Sequence, residues 1–310
     1  MFELFKDGRS TNASIAQKLG MSVLTVAKKV NVMIREKIIS IRAIPNPVKM
    51  GNHASAFIGL NVDIKRIDSI CEHLKKIPNV NLMITSFGRF DLLLIVYFPD
   101  WELLENFAKN VLTHIDGIHE ASTFIITHII SSADVNGKVS VDNMHTATSQ
   151  PSLDNMDFKI IYELMEDGRP NYTYLAKKLN TSTSTISRRI SSLVEEGFIK
   201  IVAIPSHRLD YLANAFIVIN ADYAAIDSIC YKLAANPGVQ LVMRVMNNYD
   251  ILFGLNSPNR EELYKFLKNE VATMDGVLKT ETFILADFLY MNTNALLRSP
   301  IKTHIKTRNS

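Results

Sequence analysis

LFKDGRSTNASIAQKLG, residues Leu4–Gly20, returns as LMEDGRPNYTYLAKKLN, residues Leu164–Asn180. The echo does not stop there. IISIRAIP (Ile38–Pro45) reappears as FIKIVAIP (Phe198–Pro205), and ASAFIGLNVD becomes NAFIVINAD. IDSIC recurs at Ile67 and Ile226, and TFI at Thr123 and Thr282. The offset is 160 early and 159 later, so one residue is lost near Gly51–His53. Self-similarity at a fixed period dictates the architecture before any single element is read. One unit of about 150 residues is present twice, joined by NGKVSVDNMHTATSQPS (Asn136–Ser152), whose Ser, Thr and Asn content is that of a polar linker. Met1 aligns with Ile161, which leaves Leu153–Ile160 without an upstream counterpart. The first helix of the first copy is therefore expected to be truncated by about two turns, or coding begins upstream of Met1.

The first third of each copy reads as three short helices. Phe158, Ile161, Leu164 and Met165 recur three or four apart, the spacing of an amphipathic helix, and Asp167-Gly168-Arg169-Pro170 stops it. Tyr174–Leu179 is a second helix, and Ser182 or Thr183 caps a third that runs to Glu196. Ile186, Ile190 and Leu193 would face inward, with Thr185, Ser187, Arg188, Arg189 and Ser192 outward. The matching helix of the first copy is Ser22–Glu36, with Val26, Val30 and Met33 inward and Thr25, Lys28, Lys29 and Asn31 outward. A short turn between two helices, the second capped by Ser and basic on its exposed side, is the helix-turn-helix pattern. Arg and Lys neutralise phosphates and bond guanine edges, and Ser or Thr at a helix start reaches phosphate or base. The candidate DNA-contacting residues are Ser22, Thr25, Lys28 and Lys29 in one copy, and Ser182, Thr185, Ser187, Arg188 and Arg189 in the other.

Each reader is followed by a strand, Ile38–Ile44 or Phe198–Ile204, and then by β-α-β-β-α-β. In the first copy the strands are Ala54–Val62, Val80–Phe87, Asp91–Phe98 and His119–Ser131, and the helices are Ile64–Lys76 and Trp101–His114. Asp100 is placed to cap the second of these. Two helices cover one face of such a ferredoxin-like sheet; the other stays apolar and needs a partner. The fold class is thus α+β, with winged helix-turn-helix domains at 1–45 and 153–205, sensor domains at 46–135 and 206–298, a linker at 136–152 and a basic tail at 299–310. The two sensors are expected to pack sheet to sheet as an intrachain pseudo-dimer.

Charge divides along the same lines. Residues 1–45 carry eight Lys/Arg against three Asp/Glu, residues 154–205 seven of each, and both sensor segments are mildly acidic. A basic module ahead of an acidic one suits a nucleic-acid reader attached to a domain that stays off DNA. The longest apolar run, near Leu92–Phe98, is strand-sized, and MFELFKDGRS lacks a signal-peptide core, so a cytoplasmic location and no membrane contact are expected. Cys71 and Cys230 are too few for a disulfide framework or a zinc site and read as buried helix residues. His119 and His128, nine apart on one strand, would point to opposite faces. With no Gly-rich phosphate loop and no Gly-x-Ser-x-Gly elbow, neither metal, cofactor nor catalytic residue is expected.

LDNMDFKIIYELMEDGRPNYTYLAKKLNTSTSTISRRISSLVEEGFIKIVAI, together with the βαββαβ pattern behind it, resembles the Lrp/AsnC (feast/famine) transcriptional regulators over nearly the whole chain, twice. The resemblance implies a RAM-type sensor domain, double-stranded DNA as partner, and further homo-oligomerisation. It also implies a small-molecule effector such as an amino acid, bound near a Gly-x-x-Asp turn between the second and third sensor strands. That turn is Gly88-Arg89-Phe90-Asp91 in the first copy and Asn247-Asn248-Tyr249-Asp250 in the second. The candidate effector residues are Gly88, Asp91, Asn247 and Asp250; Asn tolerates positive φ better than most residues, so the second turn should survive. The plain alternative is that both turns only close hairpins. Siroheme decarboxylases share the reader-plus-sensor plan, and this chain is similar to them at AIPSHRLDYLANAFIVI, which includes His207. It carries SFGRFDLLLIVYFPDW and RVMNNYDILFGLNSP where those enzymes have a Tyr/Arg-rich segment and Trp-Pro-Tyr-Asn, so a regulator, not an enzyme, is expected.

Overall fold

The computed structural model describes residues 3–4, 7–131, 142–143, 153–205, 213–236 and 238–297. Most of the linker, the basic tail and His207 lie outside the described residues. The chain divides into two compact units. One gathers residues 1–50 with 149–210 and 297–310, and the other gathers 51–148 with 211–296.

The first unit contains both reader segments. Its elements are α1 (Asn12–Leu19), α2 (Val23–Arg35) and β1 (Ile39–Pro45), then α5 (Asn155–Glu166), α6 (Tyr172–Lys178), α7 (Thr183–Glu195) and β7 (Ile199–Pro205). β1 and β7 pair antiparallel, from Ile39 opposite Pro205 to Pro45 opposite Ile199. The strand after each reader therefore forms a ribbon with the other reader's strand. One core runs through both readers and includes Val26, Val30, Ile161, Leu164, Ile186 and Ile190. The two Asp-Gly-Arg turns lock the readers together. Gly8 N–H donates to the Ile201 carbonyl at 2.7 Å, and Gly168 N–H donates to the Ile41 carbonyl at 2.7 Å. A β-carbon at Gly168 would come within 2.9 Å of the Arg42 nitrogen, so each turn needs glycine for close backbone approach. The Arg169 guanidinium adds bonds to the carbonyls of Gly8 (2.6 Å) and Ser10 (2.9 Å). Leu4 is buried in this core as well.

The second unit holds β2 (Ala54–Val62), α3 (Ile67–Lys75), β3 (Val80–Phe87), β4 (Leu92–Phe98), α4 (Trp101–Asn106) and β5 (Ile118–Ser131). Two residues of the linker region, Asp142–Asn143, add a short β6 against β5. β8 (Ala213–Ala221), α8 (Ile226–Ala235), β9 (Val239–Met246), β10 (Ile251–Ser257), α9 (Arg260–Phe266) and β11 (Val277–Met291) follow. The expected helix Ile64–Lys76 begins as a 3-10 turn, Ile64–Arg66, capped by Asp63. The expected helix Trp101–His114 is α-helical only to Asn106 and continues through a π turn, Phe107–Val111. Asp100 caps it through the Leu103 N–H at 2.9 Å.

The strand order is β2-β4-β3-β11-β8-β10-β9-β5-β6, and β2 also pairs with β5, so eight strands close on themselves. The βαββαβ order of each segment supplies four strands. The last strand of each segment is shared. β5 pairs first with β2, from Ile118 to Ile125, and then with β9 up to Ser131. β11 pairs with β8 up to Ile284 and from there with β3 up to Met291. Closure removes the open edges that a four-stranded sheet would leave. α3 and α4 cover the outer face of the first segment through Ile70, Leu74, Leu104 and Phe107. The opposite face meets its counterpart through aromatic rings: Phe57 lies 5.9 Å from Phe124, 5.6 Å from Phe216 and 6.4 Å from Phe283. Burial on both faces explains why β4 reads LLLIVYF without polar alternation.

Candidate nucleic-acid interface and sensor turns

Both candidate recognition helices begin alike. Ser22 Oγ accepts from Thr25 N at 3.1 Å, and Ser182 Oγ accepts from Thr185 N at 3.1 Å. The hydroxyls of Thr25 and Thr185 lie 2.8 Å from the same cap oxygens. Ser22 and Ser182 are thus helix caps first, satisfying amides that would otherwise lack partners. Gly20 (φ 62°) and Asn180 (φ 53°) take the left-handed torsions that turn the chain between the paired helices. Lys28, Lys29, Ser187 and Arg188 are exposed.

Arg189 is placed differently. Its guanidinium bridges Asp154 at 2.8 Å and Asp157 at 2.7 Å, and its side chain is 27% exposed. Asp154 and Asp157 form the capping box of α5, in which Asp154 accepts from the amides of Met156 and Asp157. The Asp157 amide and the Arg189 guanidinium hold the Asp154 carboxyl below the ordinary aspartate range. Arg189 therefore ties α7 to α5. Its counterpart Lys29 is exposed.

The sensor turns match in backbone and differ in side chain. Gly88 (φ 133°) and Asn247 (φ 130°) take the same positive φ, so the second turn survives without glycine. Asp91 Oδ2 accepts from Val62 N at 2.9 Å, and Asp250 Oδ2 accepts from Ala221 N at 2.9 Å. Both aspartates pin their turn to a neighbouring strand, a structural task that sequence reading did not assign. Asn247 Nδ2 donates to the Thr123 carbonyl at 2.9 Å. At Gly88 there is no such side chain, and a β-carbon would lie 3.5 Å from the Thr282 carbonyl oxygen, at ordinary contact. Beside these turns Arg89 stacks on Phe90 and lies 3.4 Å from the Tyr249 hydroxyl, which donates to Glu281. Burial and the Glu281 carboxylate push the Tyr249 phenol above its ordinary pKa. The counterparts of Arg89 and Glu281, each in the opposite copy, are uncharged, Asn248 and Ser122, so this polar cluster exists on one side only. Sequence reading missed it, because its members belong to both copies.

Burial raises the Cys71 thiol to about 11 and the Cys230 thiol to about 12, as buried helix cysteines require. Among the described residues no helix is long and apolar enough to cross a membrane, and no three His, Cys, Asp or Glu side chains gather as metal ligands.

Comparison with known proteins places these segments. Residues 1–40 and 153–200 match the family described as winged helix-turn-helix DNA-binding. Residues 55–134 and 214–294 match the Lrp/AsnC ligand binding domain. The chain is 33% identical over 135 residues to the uncharacterized HTH-type transcriptional regulator PH0140 of Pyrococcus horikoshii, covering 43% of this chain and 85% of that protein. It is 28% identical over 134 residues to the HTH-type transcriptional regulator LysM of Saccharolobus solfataricus, covering 94% of that protein. The siroheme decarboxylase NirDL shares the fold across 89% of this chain, with a TM-score of 0.58 at 17% identity. DNA-binding segments built on capped recognition helices, and ligand-binding segments matched over half of its length, are its two parts: the chain belongs to the Lrp/AsnC family of transcriptional regulators.

Proposed function

We propose that the chain is a sequence-specific DNA-binding regulator made as a tandem fused duplicate, working in the cytoplasm and assembling further with copies of itself. Readers at 1–45 and 153–205 bind double-stranded DNA, and sensors at 46–135 and 206–298 hold a small effector such as an amino acid. The observation that carries this reading is the pair of serine-capped helices, α2 and α7, with Lys28, Lys29 and Arg188 exposed. Ser22, Thr25, Ser182, Thr185 and Ser187 accompany them at the helix starts. Lysine acts as a mobile point charge, whereas arginine bonds guanine through two parallel N–H groups. The lysine-bearing reader supplies sequence-blind affinity, and the arginine-bearing reader supplies base discrimination.

The effector site is assigned to the Gly88 side, where the turn carries no side chain to bond the facing carbonyl as Asn247 does on the other. Asp91 and Asp250 support the two turns from behind. Arg89 and Glu281 provide opposite charges suited to an amino acid's carboxylate and ammonium groups. The rival reading, a tetrapyrrole decarboxylase on the fold of NirDL, lacks support from the sensor segments at Ser86–Trp101 and Arg244–Pro258.

Affinity of the full chain for upstream genomic duplexes, measured across a salt series, tests the reading. The expected log–log slope is steep and negative, and Lys28→Ala with Lys29→Ala flattens it by roughly one or two units. A flat salt response, or a Soret shift on titration with siroheme, would contradict it.

A further inference from the structure

Among the described residues, the reader of the first copy carries an apolar patch open to solvent. Between Leu19 and Leu24, four of six side chains are large, apolar and open to solvent: Leu19 is 54% exposed, Met21 36%, Val23 51% and Leu24 81%. They lie at the end of α1, on the turn that links it to α2 and on the first turn of α2 itself. The core of this reader is filled from the other side, by Ile15, Ala16, Val26 and Val30. In the second reader the corresponding residues are Leu179, Thr181, Thr183 and Ser184. Leu179 is partly buried against the core, and the other three are hydroxyl residues. One reader thus presents apolar groups at the start of its recognition helix where the other presents hydroxyls.

Charge identifies what such a patch meets. Lys28 lies one helical turn after Leu24, on the same face, and Lys29 beside it, in a segment of eight Lys/Arg against three Asp/Glu. A cationic rim around an apolar centre fits an anionic surface that bears apolar groups. In the major groove of duplex DNA the base edges carry one such group, the thymine methyl, while the phosphates on either side meet the lysines.

We propose that Leu24, with Val23 beside it, reads thymine methyl groups, so that the first half-site is thymine-rich while the second is read through Arg188. This inference rests on the DNA-binding reading above and adds the base that the first reader selects. It also revises the division of labour: the first reader discriminates as well, by apolar contact and not by hydrogen bonds.

The test replaces thymine by deoxyuridine, which removes the methyl and leaves pairing and charge intact. Full-chain protein is titrated against a bound genomic duplex and its deoxyuridine twin at several salt concentrations. Wild type is expected to bind the deoxyuridine duplex weaker by about fourfold for each contacted methyl. Leu24→Ser, which installs the residue found at Ser184, should lose that discrimination and keep the salt slope. Being exposed, Leu24 can be replaced without disturbing the core. Salt-dependent binding with equal affinity for both duplexes overturns this inference alone and leaves the patch to a protein partner. Full discrimination retained in Leu24→Ser also overturns it. Failure of salt-dependent binding to either duplex overturns the DNA-binding reading, and this inference with it.

Discussion

Arg188 and Arg189 are neighbours in sequence with different tasks. Side chains on consecutive helical positions point about a quarter-turn or more apart, so one faces outward while the other reaches Asp154 and Asp157. Arg188→Ala is expected to cost about 1–3 kcal/mol of specific DNA binding and to relax one half-site. Arg189→Ala should instead lower the thermal stability of the readers by roughly 1 kcal/mol, the usual scale for a partly exposed ion pair. Binding isotherms beside melting curves for the two variants separate these outcomes. Sequence periodicity placed both arginines on the outward face; Arg188 is exposed there, whereas Arg189 is half-buried against two carboxylates. Periodicity could not show that a preceding helix brings two carboxylates to one of them. Gly59 makes the same point inside the sensors, where a β-carbon would overlap the Phe90 ring. Gly59→Ala should destabilise the second unit by about 1–3 kcal/mol, measured by denaturant unfolding, because a dense core yields little to an added methyl.

At the scale of elements, helices and strands were readable because their signals are local. The capping serines, the inward Ile186-Ile190-Leu193 row and the β2 and β3 boundaries needed only neighbouring residues. The pairing of β1 with β7 and the division of β5 and β11 between sheets were not readable, because register between distant strands leaves no local signature beyond the pattern of burial. α5 offers an element-level prediction with a sign. The Asp154 carboxyl is depressed by the Asp157 amide and by Arg189. A carboxyl whose folded pKa lies below its unfolded value of about 3.9 stabilises fully above that pH, and the contribution fades as pH falls through the folded pKa. Stability measured from pH 6 downward should therefore drop more steeply in wild type than in Asp154→Asn, which keeps the capping oxygen and lacks the charge. Asp154→Ala should lose about 1 kcal/mol throughout as the cap disappears. Identical pH profiles for wild type and Asp154→Asn would contradict this account.

At the scale of the molecule, each unit is assembled from both halves of the chain. In the sensor unit the eight strands close only because β5 reaches β9 and β11 reaches β3. A protease site placed within Asn136–Ser152 should yield two fragments that remain together on gel filtration and separate only on denaturation. Fragments that part spontaneously would show that the shared strands contribute little. The repeated sequence announced two similar halves, yet the halves are similar without being equal. Lys28-Lys29 stands opposite Arg188-Arg189, Leu24 opposite Ser184, and Gly88 opposite Asn247. A family member assembled from identical subunits presents identical readers, and its operator inherits that symmetry. A fused chain is released from this constraint. Selection of full-chain protein against a pool of random duplexes tests that claim most directly. The account predicts an enriched site of two unlike half-sites about one helical turn apart, one guanine-bearing and one thymine-rich. Enrichment of a perfect palindrome, with equal losses from Arg188→Ala and from Lys28→Ala with Lys29→Ala, would contradict it.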